Sequence, residues 1–284
     1  MRAKKIISVR DAVNELRDGA VVGLSGFSYM NPPMEFVREI IRQGKKNLTL
    51  VSGPTSGIET DMLIGAGCVK KIITAGVAFE KIAGIAPNFR KAVEAGDVEV
   101  WECDESMWHI AIKAGTYDVP YMLWKGGIGS SIPELNKEIK TVTIDGKEYL
   151  QIPKVQPDIT FLHLGLGDEY GNVQVPKNKF LGRTFCERLI AEATKGKVFV
   201  SVEKIVPNQE IVKNPERTVL KNVFVCECPN GAHPGASNGH YIPDLEHYKE
   251  YVELCKEGKF QEYLKKYVYP EKYPVSQDSK LMLK

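Results

Sequence analysis

The feature that most constrains this chain is a repeated unit: a short apolar run, a loop rich in Gly, Ser or Thr, then a segment of helical periodicity. Ala20-Val21-Val22-Gly23-Leu24 runs into Ser25-Gly26-Phe27-Ser28-Tyr29-Met30-Asn31-Pro32-Pro33. Helical spacing follows over 34–41, with Pro33 at a favourable first position. The run 48–52 ends in Gly53-Pro54-Thr55-Ser56-Gly57 before a helix over 60–66, and 69–74 ends at Ala75-Gly76 before a helix over 87–95 closed by Gly96. The run 121–124 ends in Lys125-Gly126-Gly127-Ile128-Gly129-Ser130-Ser131. Strands and helices alternating at this rhythm predict an α/β fold, an open, mostly parallel sheet with helices on both faces in three α/β/α layers. In such a sheet the loops after the strands share one edge and can converge on one ligand.

The same transition in Val98-Glu99-Val100-Trp101-Glu102-Cys103-Asp104-Glu105-Ser106-Met107-Trp108-His109 is acidic. Apolar strand residues give way to Asp104-Glu105, and Met107, Trp108, Ile110, Ala111, Ile112 and Ala114 then follow a broad helical stripe. Asp104 suits an N-cap, and Glu105 in the first turn is favoured by the helix dipole. Glu105 is also the best-placed carboxylate for chemistry at the sheet edge. General-base work would require burial to raise its pKa against that dipole.

Charge and length exclude several classes. With 38 basic and 36 acidic residues in 284, the net charge is +2, which offers no basic surface for nucleic acid. The apolar runs are strand-length, so no membrane span is expected, and the basic start lacks a signal-peptide core. A cytoplasmic location is expected. Cys68, Cys103, Cys186, Cys226, Cys228 and Cys255 are scattered in a chain long enough to need no staples, so they read as reduced thiols. Cys226 and Cys228 alone are closely spaced and lack the second pair of a structural zinc site, so no metal is expected.

Further along, Lys140 to Ile152 reads as a hairpin with an Asp145-Gly146 turn, an excursion near 138–153 inside one unit spanning 1–284. Buried strands are expected over 159–164, 197–202 and 223–228, a Gly-rich turn over 165–172, and an amphipathic helix over 183–193. The loop 229–239 carries His233, with His240 just beyond, and its composition reads as functional or mobile; an ordinary loop histidine is the alternative. His109 reads as partly buried and His247 as solvated. A helical tail near 244–284 begins with a Tyr-rich helix over 244–267; an aromatic stretch over 267–273 docks on the body or a partner, and 277–284 frays.

No Gly-x-Ser-x-Gly nucleophile elbow is present, and many backbone donors at strand ends accompany few reactive side chains. This suggests an acyl- or phosphate-bearing ligand with oxyanion-type stabilisation. Several pieces, in order, carry a family likeness: Gly23-Leu24-Ser25-Gly26-Phe27 with Pro33-Met34-Glu35-Phe36-Val37-Arg38, Leu63-Ile64-Gly65-Ala66-Gly67, and Cys103-Asp104-Glu105-Ser106. Gly127-Ile128-Gly129-Ser130-Ser131-Ile132-Pro133, the run His163 to Asn172, Ser201 to Val206, and Gly231-Ala232-His233 continue it. From about Ile7 to about Tyr248 the chain resembles the A (α) subunit of class I, glutaconate-type coenzyme A transferases.

The resemblance implies a homologous B (β) subunit, an active site between the two chains, and an α2β2 or larger assembly. It implies coenzyme A as substrate with no tightly bound cofactor, acyl-CoA and a carboxylic acid as ligands, and a ping-pong transfer whose covalent glutamate lies on the B subunit. Glu105 would then line the acyl site, with Gly23, Ser25, Gly26 and Phe27 in one substrate loop and Gly127, Gly129, Ser130 and Ser131 in another. In related transferases the position of Glu105 is often Gln, which can help an oxyanion, whereas a carboxylate repels one unless protonated. A related steroid-ring hydrolase acting on CoA thioesters carries the same Asp-Glu, with Glu as base, and another relative decarboxylates a glutaconyl-type CoA ester. The likeness therefore leaves three readings: transferase, ring-cleaving hydrolase, and non-catalytic acyl-CoA-binding subunit.

Overall fold

A computed structural model describes residues 3–177 and 185–270. Its main sheet has nine strands. The parallel body runs, in spatial order, Glu99–Val100, Val69–Ile73, Leu48–Val51, Val21–Leu24, Ile159–Asp168, Val198–Val206 and Phe224–Glu227. The chain starts in the middle at Val21–Leu24, steps outward through three strands, then returns to the other side and steps outward again. Strand order thus reverses between Val21–Leu24 and Ile159–Asp168, and in open α/β sheets the carboxyl ends of the strands at such a reversal are where ligands bind. Val173–Gln174 and Thr218–Leu220 add antiparallel at the far end of Ile159–Asp168.

The period-2 alternation of strands decides which layer each side chain joins. Leu50, Ile72, Phe161 and Phe199 enter one core, covered by helices Val9–Asn14, Met34–Arg42, Ile58–Gly65, Leu245–Lys256 and Phe260–Tyr267. Their neighbours Val51 and Ile73 enter the opposite core, under helices Glu105–Thr116 and Phe185–Ala193. Leu162 and Val200 fill a third cluster with Val173, Leu220 and Val225. Burying each such Leu, Ile or Phe stabilises by roughly 1.5–3 kcal/mol, and a one-residue slip would move every one to the wrong layer. Ser8 caps the first helix by accepting from Asp11 N at 3.0 Å, and Gly96, at φ +76°, closes helix Pro87–Ala95.

Several elements differ from the sequence reading. Tyr121–Trp124 does not join the parallel sheet; it pairs antiparallel with Lys147–Pro153, which pairs with Lys140–Ile144, giving a separate three-stranded sheet. Its residues alternate between half-buried and exposed, whereas parallel-body strands need burial on both faces. Gly165–Asp168 is strand, because Leu166, Gly167 and Asp168 keep pairing with Lys204, Ile205 and Val206. Pro33 is the N-cap, not the first helical residue. The loop 229–239 is mostly buried, and His247 is 7% exposed with Nε2 at 2.7 Å from the Tyr263 hydroxyl, so it is not solvated. Tyr267 and Val268 are buried against the body; residues 183–184, 271–273 and 277–284 of the expected elements lie outside the described residues. Among the described residues no helix is long and apolar enough to cross a membrane.

Candidate functional site

Ser25 sits where strand order reverses. Its amide donates to Phe161 O at 3.2 Å, its Oγ donates to Asn31 O at 2.8 Å, and the same Oγ accepts from His163 N at 3.0 Å. The hydroxyl thus closes the loop Ser25–Asn31 on itself and ties it to the neighbouring strand. Gly23 belongs to the strand, not the loop. A Cβ there would lie 2.2 Å from Thr160 Oγ1 and 2.6 Å from Ile190 Cγ2, so glycine is needed for strand and helix to approach. The Phe27 amide donates to Met30 O at 3.0 Å and Ser28 N to Thr55 O at 2.9 Å.

Glycines press this loop onto the next one. A Cβ on Gly53 would lie 1.9 Å from Gly26 O, and one on Gly57 would lie 2.2 Å from Ser28 O. Backbone therefore packs on backbone between Ser25–Asn31 and the turn after Leu48–Val51. Within that turn, Thr55 carries the link to the acidic helix start: its Oγ1 donates to Glu105 Oε1 at 2.5 Å. Asp104 is the N-cap, accepting from Met107 N at 2.7 Å and from Ser106 Oγ at 2.6 Å. Glu105 itself is exposed in the single chain, with one carboxylate oxygen held by Thr55 and its carbonyl bonded by His109 Nδ1 at 2.7 Å.

The second glycine loop reaches the same helix from the small antiparallel sheet. Trp124 Nε1 donates to Ser106 Oγ at 2.9 Å, and a Cβ on Gly127 would lie 2.1 Å from Met107 Cε. Ser130 Oγ donates to Gly127 O at 2.7 Å, which makes it a turn-closing group, and Gly129, Ser130 and Ser131 are exposed. The structure thus brings Ser25, Gly26, Phe27, Thr55, Glu105 and the Gly127–Ser131 loop to one end of the sheet. A surface groove of about 610 Å³ elsewhere is lined by Arg188, Gly196, Lys197 and Lys221 and contains none of these residues.

Three fully buried carboxyls lie behind the loops. Burial pushes Glu59 up to about 7 against the backbone N–H of Gly57, and Glu187 up to about 7 beside Asn31 and Cys186. Burial raises Asp61 to about 6 although Tyr251, Phe89 N and Asn88 donate to it. Farther along the same edge, His163 is completely buried, with Nδ1 at 2.9 Å from Ser201 Oγ and Nε2 at 2.9 Å from Glu203 Oε1 and 3.1 Å from Ser237 Oγ. Burial would raise Glu203, but the His163 contact and the Asn230 amide outweigh it and hold the pKa below the usual value. The Ser-His-Glu arrangement resembles a nucleophile relay, yet both Ser201 and His163 are sealed from solvent, and Ser201 Oγ already donates to Leu162 O at 3.2 Å.

His233, Asp244 and His247 place one ligand atom each within 4.8 Å of one another. All three are engaged: His233 Nε2 lies 3.0 Å from Asp244 Oδ2, Asp244 Oδ1 accepts the His247 amide at 3.0 Å, and His247 Nε2 meets Tyr263. Burial and the neighbouring His233 lower His247 to about 3, so it stays neutral. The cluster joins the 229–239 loop to the C-terminal helices. Sequence reasoning missed Thr55, Glu59 and Glu187. Thr55 lay inside a recognised glycine loop, but nothing local links it to a residue 50 positions on; Glu59 fell between that loop and the helix expected over 60–66, and Glu187 in a helix pattern, where acids usually face water.

The family described as "Coenzyme A transferase" matches residues 6–227. An uncharacterized protein of Archaeoglobus fulgidus is 33% identical over 276 residues; the match covers 94% of this chain but only 60% of that protein. The cholesterol ring-cleaving hydrolase IpdA subunit of Rhodococcus jostii is 32% identical, covering 89% of this chain and 87% of its own. The A-type subunit of the 3-oxoadipate CoA-transferase of Pseudomonas knackmussii is 31% identical, with 93% of each chain covered. The solved glutaconate coenzyme A-transferase of Acidaminococcus fermentans superposes with a TM-score of 0.87 at 26% identity, covering 95% of this chain and 90% of that one.

Proposed function

The chain belongs to the coenzyme A transferase family, and we propose that it is the A-type subunit of a two-chain enzyme that moves CoA between carboxylic acids by a ping-pong mechanism. The observation that carries this reading is the open half-site. Glu105 and two glycine loops meet at the carboxyl ends of the strands, with Glu105 exposed and no activated nucleophile beside it among the described residues. Such a wall requires a facing surface. A homologous B chain supplies that surface and the glutamate whose carboxylate attacks the thioester carbonyl. The acyl anhydride forms as CoA thiolate leaves; the thiolate then attacks the glutamyl carbonyl, releasing the first acid and leaving CoA as an enzyme thioester. The second acid reverses these steps. Amides near Gly26 and Gly129 stabilise the oxyanion, and Glu105, closed over by the B chain, orients the acyl group.

Ring-opening hydrolysis of a CoA ester with Glu105 as base is the second reading, favoured by the exposed carboxylate that Thr55 holds at the helix start and by the similarity to the Rhodococcus protein. A binding-only role is the third. Co-expression with a B-type chain, followed by acyl-CoA and borohydride, separates them. Reductive trapping of a B-chain glutamyl thioester is expected. Turnover without trapping would favour the hydrolase, and ligand binding without turnover the binding-only role.

A further inference from the structure

Gly26 is held at φ +129°, a conformation that no other residue type adopts readily. The space a side chain there would need is already filled: a Cβ on Gly26 would lie 2.8 Å from Glu59 Oε1 and 2.9 Å from its carboxyl carbon, and one on Gly57 would lie 3.3 Å from Oε2. The Glu59 carboxyl is therefore packed against Gly26 of the loop Ser25–Asn31 and Gly57 of the turn pressed against that loop. It is 0% exposed. Oε1 accepts the Gly57 amide at 2.7 Å, while Oε2 has no hydrogen-bond partner among the described residues. An ionised carboxylate buried with one oxygen unpaired is costly, and protonation removes the charge that makes it so.

We propose that Glu59 is a positioning residue for the acyl-binding loop Ser25–Asn31, which it holds in its site-forming conformation as a neutral carboxylic acid, and that losing its proton loosens the loop. The surroundings agree. Neither Ser25–Asn31, Ser52–Gly57 nor helix Ile58–Gly65 carries a basic side chain to hold Glu59 ionised. The charge that acts on it is the Asp61 carboxyl on its own helix; on the neighbouring loops Glu80 is bonded to Ser28, Glu105 to Thr55, and Glu187 lies beside Asn31. Helices Met34–Arg42 and Pro87–Ala95, packed on Ile58–Gly65, carry Arg38 and Arg42, paired with Glu35 and Glu39, and Arg90, Lys91 and Glu94, and none of these is among the charges acting on Glu59. Burial first, and Asp61 after it, raise Glu59 to about 7, so its proton is exchanged within the physiological range. The role in catalysis rests on the CoA-transferase reading; the proton and the loop do not.

The test compares wild type with Glu59→Gln, which stays neutral at every pH, and Glu59→Met, which removes the polar group while filling its volume. Amide hydrogen exchange over 24–31 is followed at pH 6 and pH 8. Protection in wild type should fall at least fivefold relative to Glu59→Gln between the two. At pH 6 the infrared carbonyl band of protonated buried carboxyls, to which Glu187 and Asp61 also contribute, should be weaker in both variants than in wild type, and this difference should largely vanish at pH 8. Equal loop protection in wild type and Glu59→Gln at both pH values, or no such band difference at pH 6, overturns the proposal. In complex with the B chain, KM for acyl-CoA should rise with pH more than threefold further in wild type than in Glu59→Gln, while kcat moves in parallel. Parallel KM profiles would reduce Glu59 to a packing residue. Absence of all CoA turnover would instead count against the transferase reading and leave the exchange and infrared results to decide the role of Glu59.

Discussion

Two regions at the same sheet edge carry polar chemistry and treat it in opposite ways. Around His163, each ring nitrogen meets a hydroxyl or carboxylate, and Glu203 is bonded by both an imidazole and the Asn230 amide. Around Gly26 and Glu105, backbone lies against backbone, a buried carboxyl keeps one oxygen without a described partner, and a second carboxylate faces solvent with one oxygen held by Thr55. A satisfied network rigidifies, whereas groups left unmatched are available to a ligand or a proton. The residue types alone would have ranked the two the other way, since Ser-His-Glu looks more like catalysis than Thr-Glu does. On the proposed reading, saturation of the hydrogen bonds, not the presence of reactive side chains, separates framework from site.

The sharpest test of that contrast is Glu105→Ala in the two-chain complex. It should reduce kcat/KM by roughly 10²- to 10⁴-fold, the range for a positioned acid or base, while urea unfolding of the chain stays as in wild type. Wild-type turnover would remove Glu105 from the chemistry. His163→Ala should do the reverse. Leaving Glu203 and two hydroxyls without their partner should destabilise by about 3–5 kcal/mol, with kcat per folded molecule preserved; a stable variant with impaired catalysis would dissolve the distinction.

pH divides the regions as well. Glu59 and Glu187 hold protons to about pH 7 when folded but only to 4.5 as ordinary carboxyls, so their contribution is full below 4.5 and is lost as pH rises to 7. The loss is at most about 1.4 kcal/mol per pH unit for each group. Glu203, held low, behaves oppositely and loses its contribution in acid, as does neutral His247, whose folded value is about 3 against 6.5. Exchange mapped by mass spectrometry should show the Ser25–Asn31 loop opening first in base and the His163 strand and C-terminal helices first in acid. The same region yielding first at both extremes would contradict the assignment. The smallest effect is expected from Thr55→Val, which deletes one hydrogen bond to a partly solvated carboxylate: about 1 kcal/mol, or roughly fivefold in kcat, with unaltered stability.

The sheet was legible because alternating apolar residues and strand-end glycines are local signals, and each strand of the parallel body corresponds to a run visible in the sequence. Tyr121–Trp124 misled because four apolar and aromatic residues look alike in a buried parallel strand and in an outer antiparallel one; only the partner strand distinguishes them. The site was half legible. Asp104-Glu105 announced itself through capping chemistry, and the glycine loops through composition. Thr55 and Glu59 did not, because their roles depend on register between strands and on which loop lies across which, and neither is written within a few residues of them. His247 read as solvated because its helix is rich in Lys and Glu, yet it faces Tyr263 and Tyr267 on the inner side.

The small antiparallel sheet is tethered at a narrow neck, where Lys154 N donates to Pro120 O at 3.1 Å and Val155 N to Ala111 O at 3.0 Å. Entry and exit therefore lie side by side, while Ile139, Leu150 and Ile152 seat the small sheet in the same core as Val51 and Ile73. The Gly127–Ser131 loop meets the start of helix Glu105–Thr116 from this small sheet, not from a body strand. Its exposed tip, Gly129–Ser131, can thus be lengthened or shortened without disturbing a single register of the parallel sheet, so the surface beside Glu105 can change shape while the folding unit stays fixed.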